Sequence, residues 1–364
     1  MKFTPFYKIH SDLNAKMGLF GGYQMPIQYG GGVKREHLSV RENLGIFDVS
    51  HMGEFMVEGP KAFELLQYIC SNDIAKLYPG KAQYNYLPNE SGGIIDDLII
   101  YQLEAEKYLL VVNASNIEKD WQWINKYNQD FRSDISNISD KTALLAIQGP
   151  KALEAMQSLC DFDLKTLNNY CHTSTTFADC EDILVATTGY TGSGGIEIYF
   201  NCEHADTIWE SVMQAGDRFG ISPVGLAARD TLRIEMGYCL YGNEINDITS
   251  PISAGLKRVT QIQTEFLNHA QHQKSIENGI DKKLIGFEMD TRGIPRSDYL
   301  IFDLKKNPIG KVTSGTQSPS LNKGIGMGYV KSDFSKIGKT LYIKIRDKFI
   351  PCTIVSFPFY KNKI

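Results

Sequence analysis

The chain has 364 residues, of which 42% are hydrophobic and 22% charged, and its formal net charge is −4. A chain of this length exceeds what one hydrophobic core usually supports, so we expect two or three domains. The basic residues are dispersed, which argues against nucleic-acid binding, and the longest apolar runs are too short to cross a membrane.

The N-terminus and the cysteines predict a cytoplasmic protein. The sequence MKFTPFYKIH has neither the apolar segment of a signal peptide nor the bias of a transit peptide. The seven cysteines are scattered and form no CxxC pair, which is typical of reduced thiols: Cys70, Cys160, Cys171, Cys180, Cys202, Cys239 and Cys352. The cysteines and the seven histidines lack the spacing of zinc ligands, so we expect no metal site.

Two stretches in the first half of the chain repeat each other. They read GEFMVEGPKAFELLQYIC (53–70) and ALLAIQGPKALEAMQSLC (143–160), and seven of the twelve positions from glycine to cysteine are identical. Each predicts a strand followed by a helix, with Pro60 and Pro150 in the first turn, where no N–H is needed. We therefore expect two related α+β units. Chance convergence of two short units is the alternative.

The segments after each repeat predict further helices. LLVVNASNIEKDWQWI (109–124) predicts a buried strand and then a helix that opens with a capping box between Ser115 and Glu118. CEHADTIWESVMQAG (202–216) predicts a helix that ends at Gly216.

The remaining sequence predicts one more helix and a β-rich end. Residues 222–237 predict a helix with Ser222 as N-cap and Pro223 in its first turn. The polar stretch 268–283 is the best candidate for a boundary. Beyond it, short strand-like runs alternate with turns, which predicts a small β-barrel or sandwich over 281–364. The fold class is therefore α+β, with two interleaved subdomains over 1–280.

Four charged residues lie where burial is expected. Asp96 and Asp97 interrupt the apolar run of ESGGIIDDLIIYQ (90–102), and strand alternation puts them on opposite faces. Glu197 lies alone in GGIEIYF, and Arg229 lies in the middle of a predicted helix. Burying a carboxylate lowers the stability of the folded protein by on the order of several kcal/mol unless the carboxylate is paired or hydrogen-bonded. Each residue alone is most simply a structural ion pair, but together they suggest a cleft for a small, flat, polar ligand.

Other motifs support ordinary structural roles. GYTGSGG (189–195) is rich in glycine but precedes a strand instead of a helix, so it predicts a tight hairpin turn and not a phosphate site. His37 and His51 each stand alone in the sequence, and we expect both to be core or cap histidines.

Seven blocks carry a family resemblance, and they occur in order along almost the whole chain: MPIQY (25–29), EHLSVRENLGIFDVSHMGE (36–54), GGIIDDLIIY (92–101), LLVVNASNIEKDW (109–121), TGYTGSGGIEIY (188–199), GLAARDTLRIEMGYCLYGNEI (225–245) and GKVTSGTQSPSLNKGIGMGYV (310–330). They are similar to those of the aminomethyltransferase (T-protein) of the glycine cleavage system. The resemblance implies a three-domain cloverleaf around a folate-binding cavity. It also implies transfer of the aminomethyl carbon from lipoylated H-protein to tetrahydrofolate, giving 5,10-methylenetetrahydrofolate, ammonia and dihydrolipoyl H-protein.

The resemblance also implies roles for individual residues. Asp96, the first acid of the IDDL block, matches the catalytic acid, and Asp97 is then its structural partner on the other face. Glu197 matches the acid that reads the pterin ring through a bidentate contact, and Arg229 matches a folate-binding arginine. The other residues implied to bind tetrahydrofolate are Met52, Tyr84, Tyr101, Asn113, Tyr190, Tyr238 and Lys361.

Two positions depart from the family pattern. Ser193-Gly194 replaces the usual Glu-Asp in the glycine-rich turn, where we expect altered loop charge and not lost chemistry. Lys257-Arg258 replaces the usual Gly-Trp. These two cations favour either the polyglutamate tail of natural folates or an acidic surface of a lipoyl protein.

Two other functions compete with this interpretation. One is a tetrahydrofolate-dependent demethylase on the same fold, and the other is a non-catalytic folate-binding or iron–sulfur maintenance protein. The latter group carries a Lys-Gly-Cys block that is absent from this sequence. We expect a monomer that meets H-protein transiently, binds neither nucleic acid nor membrane, and uses tetrahydrofolate as co-substrate without a metal.

Overall fold

Residues 1–361, which a computed structural model describes, form eight α-helices and twenty strands. The helices are α1 (Tyr7–Asp12), α2 (Gly32–Glu42), α3 (Ala62–Ile69), α4 (Ile117–Phe131), α5 (Ala152–Met156), α6 (Ala205–Gly216), α7 (Leu226–Met236) and α8 (His269–Asn278). The strands are β1 (Lys2–Phe3), β2 (Lys16–Phe20), β3 (Tyr23–Gln28), β4 (Leu44–Asp48), β5 (Gly53–Glu58), β6 (Lys81–Pro88), β7 (Ile94–Glu104), β8 (Lys107–Val112), β9 (Asp134–Asn137), β10 (Thr142–Gln148), β11 (His172–Phe177), β12 (Cys180–Ala186), β13 (Gly195–Asn201), β14 (Ile221–Pro223), β15 (Lys282–Met289), β16 (Leu300–Phe302), β17 (Pro308–Gln317), β18 (Gly324–Lys331), β19 (Thr340–Ile345) and β20 (Lys348–Val355).

The chain divides into two units that alternate along the sequence. The first unit comprises Met1–Gln67, Ile74–Asn85 and Asp97–Asp230. The second comprises Tyr68–Asp73, Tyr86–Asp96 and the chain from Thr231 onward. The predicted domain boundary at residue 280 falls inside the second unit and stays a prediction.

The repeat predicted from the sequence is confirmed by the order of the elements. Strand, helix, three strands, helix and strand follow one another from β5 to β9 and again from β10 to β14. A five-stranded sheet has the order β6-β7-β8-β5-β9, and a six-stranded sheet has the order β11-β12-β13-β10-β4-β14. The first four strands of the two sheets therefore correspond one to one, so the similarity extends well beyond the matching sequence letters.

A pair of reciprocal hydrogen bonds joins the two repeats. The N–H of Ala82 donates to the carbonyl of Tyr170 at 2.9 Å, and the N–H of His172 donates to the carbonyl of Gly80 at 2.8 Å. The repeats begin at residues 53 and 143, and the same difference of 90 converts one bond into the other. Gly80 and Tyr170 are thus equivalent, and both take the left-handed conformation, with φ of 94° and 57°. The two repeats therefore meet at a local pseudo-two-fold axis.

Each unit contains an apolar core built by alternation along its strands. In the first unit, the inward residues of β10, β12 and β13 pack on α5 and α6 around Met156 and Trp209. In the second unit, β15-β18-β17-β16-β19-β20 closes into a barrel filled by residues such as Phe287, Ile343 and Ile354. The predicted α+β class and the C-terminal β-barrel are confirmed.

One local prediction about a helix end was wrong, and another was confirmed. The capping box at Ser115 does not form, because a 3-10 turn over Ala114–Asn116 precedes α4 and moves its start to Ile117. Helix α6 ends at Gly216, as predicted. A 3-10 turn over Asp217–Phe219 follows it, and Gly220 takes the left-handed conformation there, with φ of 78°.

Two further segments differ from the sequence prediction. Ser222 and Pro223 belong to β14, which pairs in parallel with β4, and α7 begins at Leu226. Pro223 is tolerated there because β14 is the edge strand of its sheet, where a missing N–H breaks no ladder. The polar stretch 268–283 contains helix α8 and is not simply a linker.

A buried ion pair lies in the second unit. Arg233 donates to Glu244 at 2.7 Å and to the hydroxyl of Ser314 at 2.7 Å. Glu244 also accepts from the hydroxyl of Thr313 at 2.6 Å. The side chains of Arg233 and Glu244 are 1% and 0% exposed. Arg233, one turn after the predicted site residue Arg229, therefore has a structural role.

Replacing Arg233 by methionine should lower the free energy of unfolding by about 3–5 kcal/mol, because Glu244 is then left as a buried charge without its cation. The exposed pair Lys311–Asp298 is the control, and Lys311→Met should change stability by less than about 1 kcal/mol. Urea unfolding of the two variants measures both effects. Equal, small losses in the two variants would contradict the structural role of Arg233.

Candidate active site

Glu197 lies on β13 between two alanines. Its direct partner on β10 is Ala146, and its direct partner on β12 is Ala186. Residues directly opposite each other in a sheet project from the same face, so the carboxylate stands on a floor of two small apolar side chains. A flat ring can lie against such a floor while its edge meets the acid.

Arg229 supplies positive charge near this acid. Its guanidinium lies 4.4 Å from the centre of the Tyr190 ring, which is a cation–π contact. Burial raises the pKa of Glu197, while a hydrogen bond from Thr188 and the charge of Arg229 act in the opposite direction. Glu197, Arg229 and Tyr190, all predicted from the sequence, are therefore brought together in the first unit.

Three hydroxyl groups continue from Glu197 into the protein. Thr188 donates a hydrogen bond to the carboxylate of Glu197. The hydroxyl of Tyr101 lies 2.9 Å from that of Thr188 and 2.8 Å from that of Tyr199. Tyr101 is fully buried, and its ring meets that of Tyr199 edge to face. Tyr101, predicted to bind folate, is thus part of the support of Glu197.

A second polar group surrounds Asp97. The hydroxyl of Tyr84 donates to one oxygen of Asp97 at 2.8 Å, and the side-chain amide of Asn113 donates to the other at 2.9 Å. Asp97 and Tyr101 are four residues apart on β7 and so project from the same face, about 13 Å apart along the strand. Asp97 therefore shares a face with the residue that supports Glu197.

Asp96 projects from the opposite face of β7. Its side chain is fully buried, and it shares that face with Leu98 and Ile100, which are 2% and 0% exposed. The sequence prediction had assigned the cavity to Asp96 and the other face to Asp97. The contacts favour the reverse arrangement, because Tyr84 and Asn113, two predicted folate-binding residues, both bind Asp97.

Three further residues were predicted to bind tetrahydrofolate: Met52, Tyr238 and Lys361. Met52 is partly buried in the turn between β4 and β5. Tyr238 is 37% exposed and Lys361 is exposed, and both belong to the second unit. Their roles stay predictions.

Three residues near the site were not predicted as functional: Thr188, Tyr199 and His51. His51 is buried, as expected for a core histidine, and its Nδ1 has no hydrogen-bond partner among the residues that the structure describes. Burial, and then the charge of Arg229, lower the pKa of His51 to about 4. The sequence signals for His51 were its position beside Met52 and its place in the family block 36–54.

Of the two departures from the family pattern, one lies at a partly buried turn and the other at the surface. The glycine-rich loop joins the antiparallel strands β12 and β13, as predicted, and Gly194 takes φ of 76° there. Ser193 is buried and accepts a hydrogen bond from Arg41 at 2.7 Å, so its position is structural. Lys257 and Arg258 are exposed in a 3-10 turn over Leu256–Val259.

A cavity of about 660 Å³ opens in the first unit. Its lining includes Met56, Lys107, His172 and Tyr199. It therefore shares Tyr199 with the hydroxyl groups behind Glu197, but neither Glu197 nor Asp97 lines it.

Within residues 1–361, no group of three or more His, Cys, Asp or Glu side chains is arranged to hold a metal ion. The same part of the chain has no helix long and apolar enough to span a membrane. None of the seven cysteines, all of which lie within it, forms a disulfide.

Comparison with known families gives matches over most of the chain. Residues 6–264 match the sequence model of the GCVT N-terminal domain, and residues 282–361 match that of the glycine cleavage T-protein C-terminal barrel domain.

Individual relatives match over their full length. An aminomethyltransferase of Flavobacterium psychrophilum is 55% identical over 362 residues, which cover 100% of both chains. One from Bacteroides thetaiotaomicron is 51% identical over 363 residues, covering 99% of this chain and 100% of the relative. The crystal structure of glycine cleavage system aminomethyltransferase T from Bartonella henselae is 35% identical, with a TM-score of 0.92 over 99% of this chain and 98% of that one.

His51 should make the protein less stable as the pH falls from about 6.5 to about 4. The unfolded chain takes up a proton on this histidine near pH 6.5, whereas the folded protein does so only near pH 4. Between these values the unfolded state binds more protons, so stability falls with falling pH, by at most about 1.4 kcal/mol per pH unit. His51→Gln should flatten this dependence in urea unfolding measured across the window.

The control for this measurement is His204→Gln, because His204 is partly exposed and lies outside both polar groups. It should keep the wild-type dependence on pH. The same slope in all three proteins would contradict the burial of His51 in its neutral form.

Proposed function

The chain belongs to the glycine cleavage T-protein family, and we propose that Glu197, Arg229 and Asp97 are the residues through which it binds and activates tetrahydrofolate. The protein is an aminomethyltransferase, which transfers a one-carbon unit to tetrahydrofolate. The observation that supports the proposed residues best is the carboxylate of Glu197, which stands between two alanines and is fixed by Thr188.

Glu197 suits the edge of a pterin ring. The pterin N3–H and 2-amino group are two parallel donors, and a carboxylate accepts both at once, as a neutral side chain does less well. Ala146 and Ala186 leave room for the ring beside the acid. Arg229 keeps positive charge near the carboxylate and so favours its ionised form.

Asp97 suits the reacting end of the folate. The aminomethyl carbon, initially bonded to sulfur and nitrogen, becomes the bridge between folate N5 and N10, and ammonia and a thiol are released. This change removes one proton from each of the two folate nitrogens and delivers protons to ammonia and the thiol. A carboxylate held in one orientation accepts or relays such protons. Tyr84 and Asn113 hold Asp97 in this way, so we assign the role to Asp97 in place of Asp96.

The remaining parts of the proposal follow from the family. The donor of the one-carbon unit is the lipoylated H-protein, which we expect to meet a monomer of this protein transiently, in the cytoplasm and without a metal cofactor. The exposed cations Lys257 and Arg258 are candidates for contact with an acidic surface of that partner or with a folate polyglutamate tail. The relatives named above are aminomethyltransferases, and none of the observations favours a demethylase or a non-catalytic folate-binding protein.

The activity is tested with aminomethyl-loaded H-protein and tetrahydrofolate, by measuring methylenetetrahydrofolate and ammonia together. Wild type should release both in equal amounts. Asp97→Asn should lower kcat by about 100-fold or more, because it loses the proton acceptor, while folate still binds. Asp96→Asn is the matched control: it removes the adjacent carboxylate on the other face of β7 and should leave most of the turnover per folded molecule.

Two results would count against this proposal in different ways. Loss of turnover in Asp96→Asn, with Asp97→Asn active, would restore the assignment made from the sequence. No folate-dependent ammonia release from the wild-type protein would overturn the role in glycine cleavage itself.

A further inference from the structure

The hydroxyl groups behind Glu197 form a continuous chain. They belong in order to Tyr199, Tyr101 and Thr188, and the chain ends at the carboxylate of Glu197. Tyr199, Tyr101 and Thr188 are 5%, 0% and 6% exposed, so water is largely excluded from these bonds. In such surroundings hydrogen bonds are strengthened and neighbouring ones polarise each other.

The direction of every bond in the chain follows from counting hydrogens. A hydroxyl group has one hydrogen, and Thr188 uses its hydrogen on Glu197. Tyr101 therefore donates toward Thr188 and Glu197, and Tyr199 donates to Tyr101. All three hydrogens point toward Glu197, and this arrangement fits a carboxylate, which only accepts.

Several charged or titratable groups lie around these hydroxyl groups. The charge of Arg229 acts on Glu197, and the residues beside Glu197 on β10 and β12 are alanines. The ring of His172 packs edge to face on Tyr101, and burial lowers the pKa of that histidine. In addition to burial, Tyr170 raises the pKa of Tyr101, and Glu54 raises that of Tyr199.

Glu54 is fully buried, neither of its oxygens has a hydrogen-bond partner in the described part of the chain, and burial raises its pKa well above the usual value. Glu54 is therefore a buried acid beside Tyr199, and burial favours its neutral form.

We propose that Tyr199, Tyr101 and Thr188 form a one-way hydrogen-bond chain that holds the carboxylate of Glu197 as an oriented acceptor for the pterin N–H groups. Thr188 and Tyr199 are thus positioning residues for folate specificity, and Tyr101 acts mainly through Glu197. This inference rests on the proposed reading of the pterin by Glu197.

The chain has a consequence for the pH dependence of folate binding. Because these bonds stabilise the ionised form of Glu197, they lower the pKa of this acid, as the hydrogen bond from Thr188 does. Folate binding requires the carboxylate and is lost when Glu197 takes up a proton. The acid limb is the part of the pH profile where folate affinity falls as the pH is lowered. Breaking the hydrogen-bond chain should therefore move this limb to higher pH.

The test measures the affinity for 5-formyltetrahydrofolate, a stable reduced folate, as a function of pH in variants of the hydrogen-bond chain. Thr188→Val should weaken binding at neutral pH by about tenfold or more, since it removes a hydrogen bond to a charged group, and should move the acid limb upward. Thr188→Ser should restore both. Tyr101→Phe and Tyr199→Phe should move the limb in the same direction, with the smaller shift for Tyr199→Phe, which is one bond farther away.

Two controls make the result decisive. Tyr108→Phe removes the hydroxyl of another buried tyrosine, whose contact is a carbonyl of the β7–β8 turn, and should leave the acid limb in place. Glu197→Gln should bind folate weakly and show no acid limb. Melting temperatures verify that each variant is folded.

The outcomes distinguish failure of the proposed hydrogen-bond chain from failure of the proposed pterin binding by Glu197. If the acid limb stays in place in Thr188→Val and Tyr101→Phe while Glu197→Gln binds folate weakly, the proposed hydrogen-bond chain is contradicted. The binding of the pterin ring by Glu197 is not contradicted by that result. Wild-type affinity in Glu197→Gln would overturn the proposed reading of the pterin, whatever the other variants do.

Discussion

The hydrogen bond from Thr188 to Glu197 is the interaction on which the proposed site depends. A carboxylate in a largely apolar setting is tolerated only if its charge is balanced and its oxygens are satisfied. Arg229 contributes the charge, and Thr188 contributes the hydrogen bond that fixes the orientation. The two alanines beside the acid add no competing group. The carboxylate of Glu197 is therefore oriented so that it can accept hydrogen bonds from the edge of a ligand.

The internal repeat explains how these residues meet. Tyr101 comes from the first repeat, whereas Thr188, Glu197 and Tyr199 come from the second. The reciprocal bonds around Gly80 and Tyr170 hold the two repeats together at their pseudo-two-fold axis. The two repeats nevertheless contribute different chemistry, because β7 carries Asp97 and Tyr101 while β13 carries Glu197. A symmetric scaffold thus supports an asymmetric site.

The sequence predicts best what depends on neighbouring residues. The repeat and the barrel were visible because strand alternation and turn residues are local signals. Strand alternation also separated Asp96 from Asp97 and puts Asp97 on the face of Tyr101. It could not show that Tyr101 contacts Thr188 and Tyr199, since these residues are 87 and 98 positions away along the chain. Pro223 was misassigned for the same reason: its strand exists because β4, far earlier in the chain, pairs with it. The four charged residues together suggested a ligand cleft, but only the family resemblance gave Glu197 the role of binding the pterin ring.

The central claim is that Glu197 reads the pterin ring of tetrahydrofolate. The most direct measurement is a crystal structure of the protein with a stable reduced folate. The account predicts that both oxygens of Glu197 lie about 3 Å from the pterin N3 and 2-amino nitrogens, with the ring over Ala146 and Ala186 and the bond from Thr188 retained. A pterin ring bound away from Glu197, for instance in the cavity lined by Met56 and His172, would contradict it.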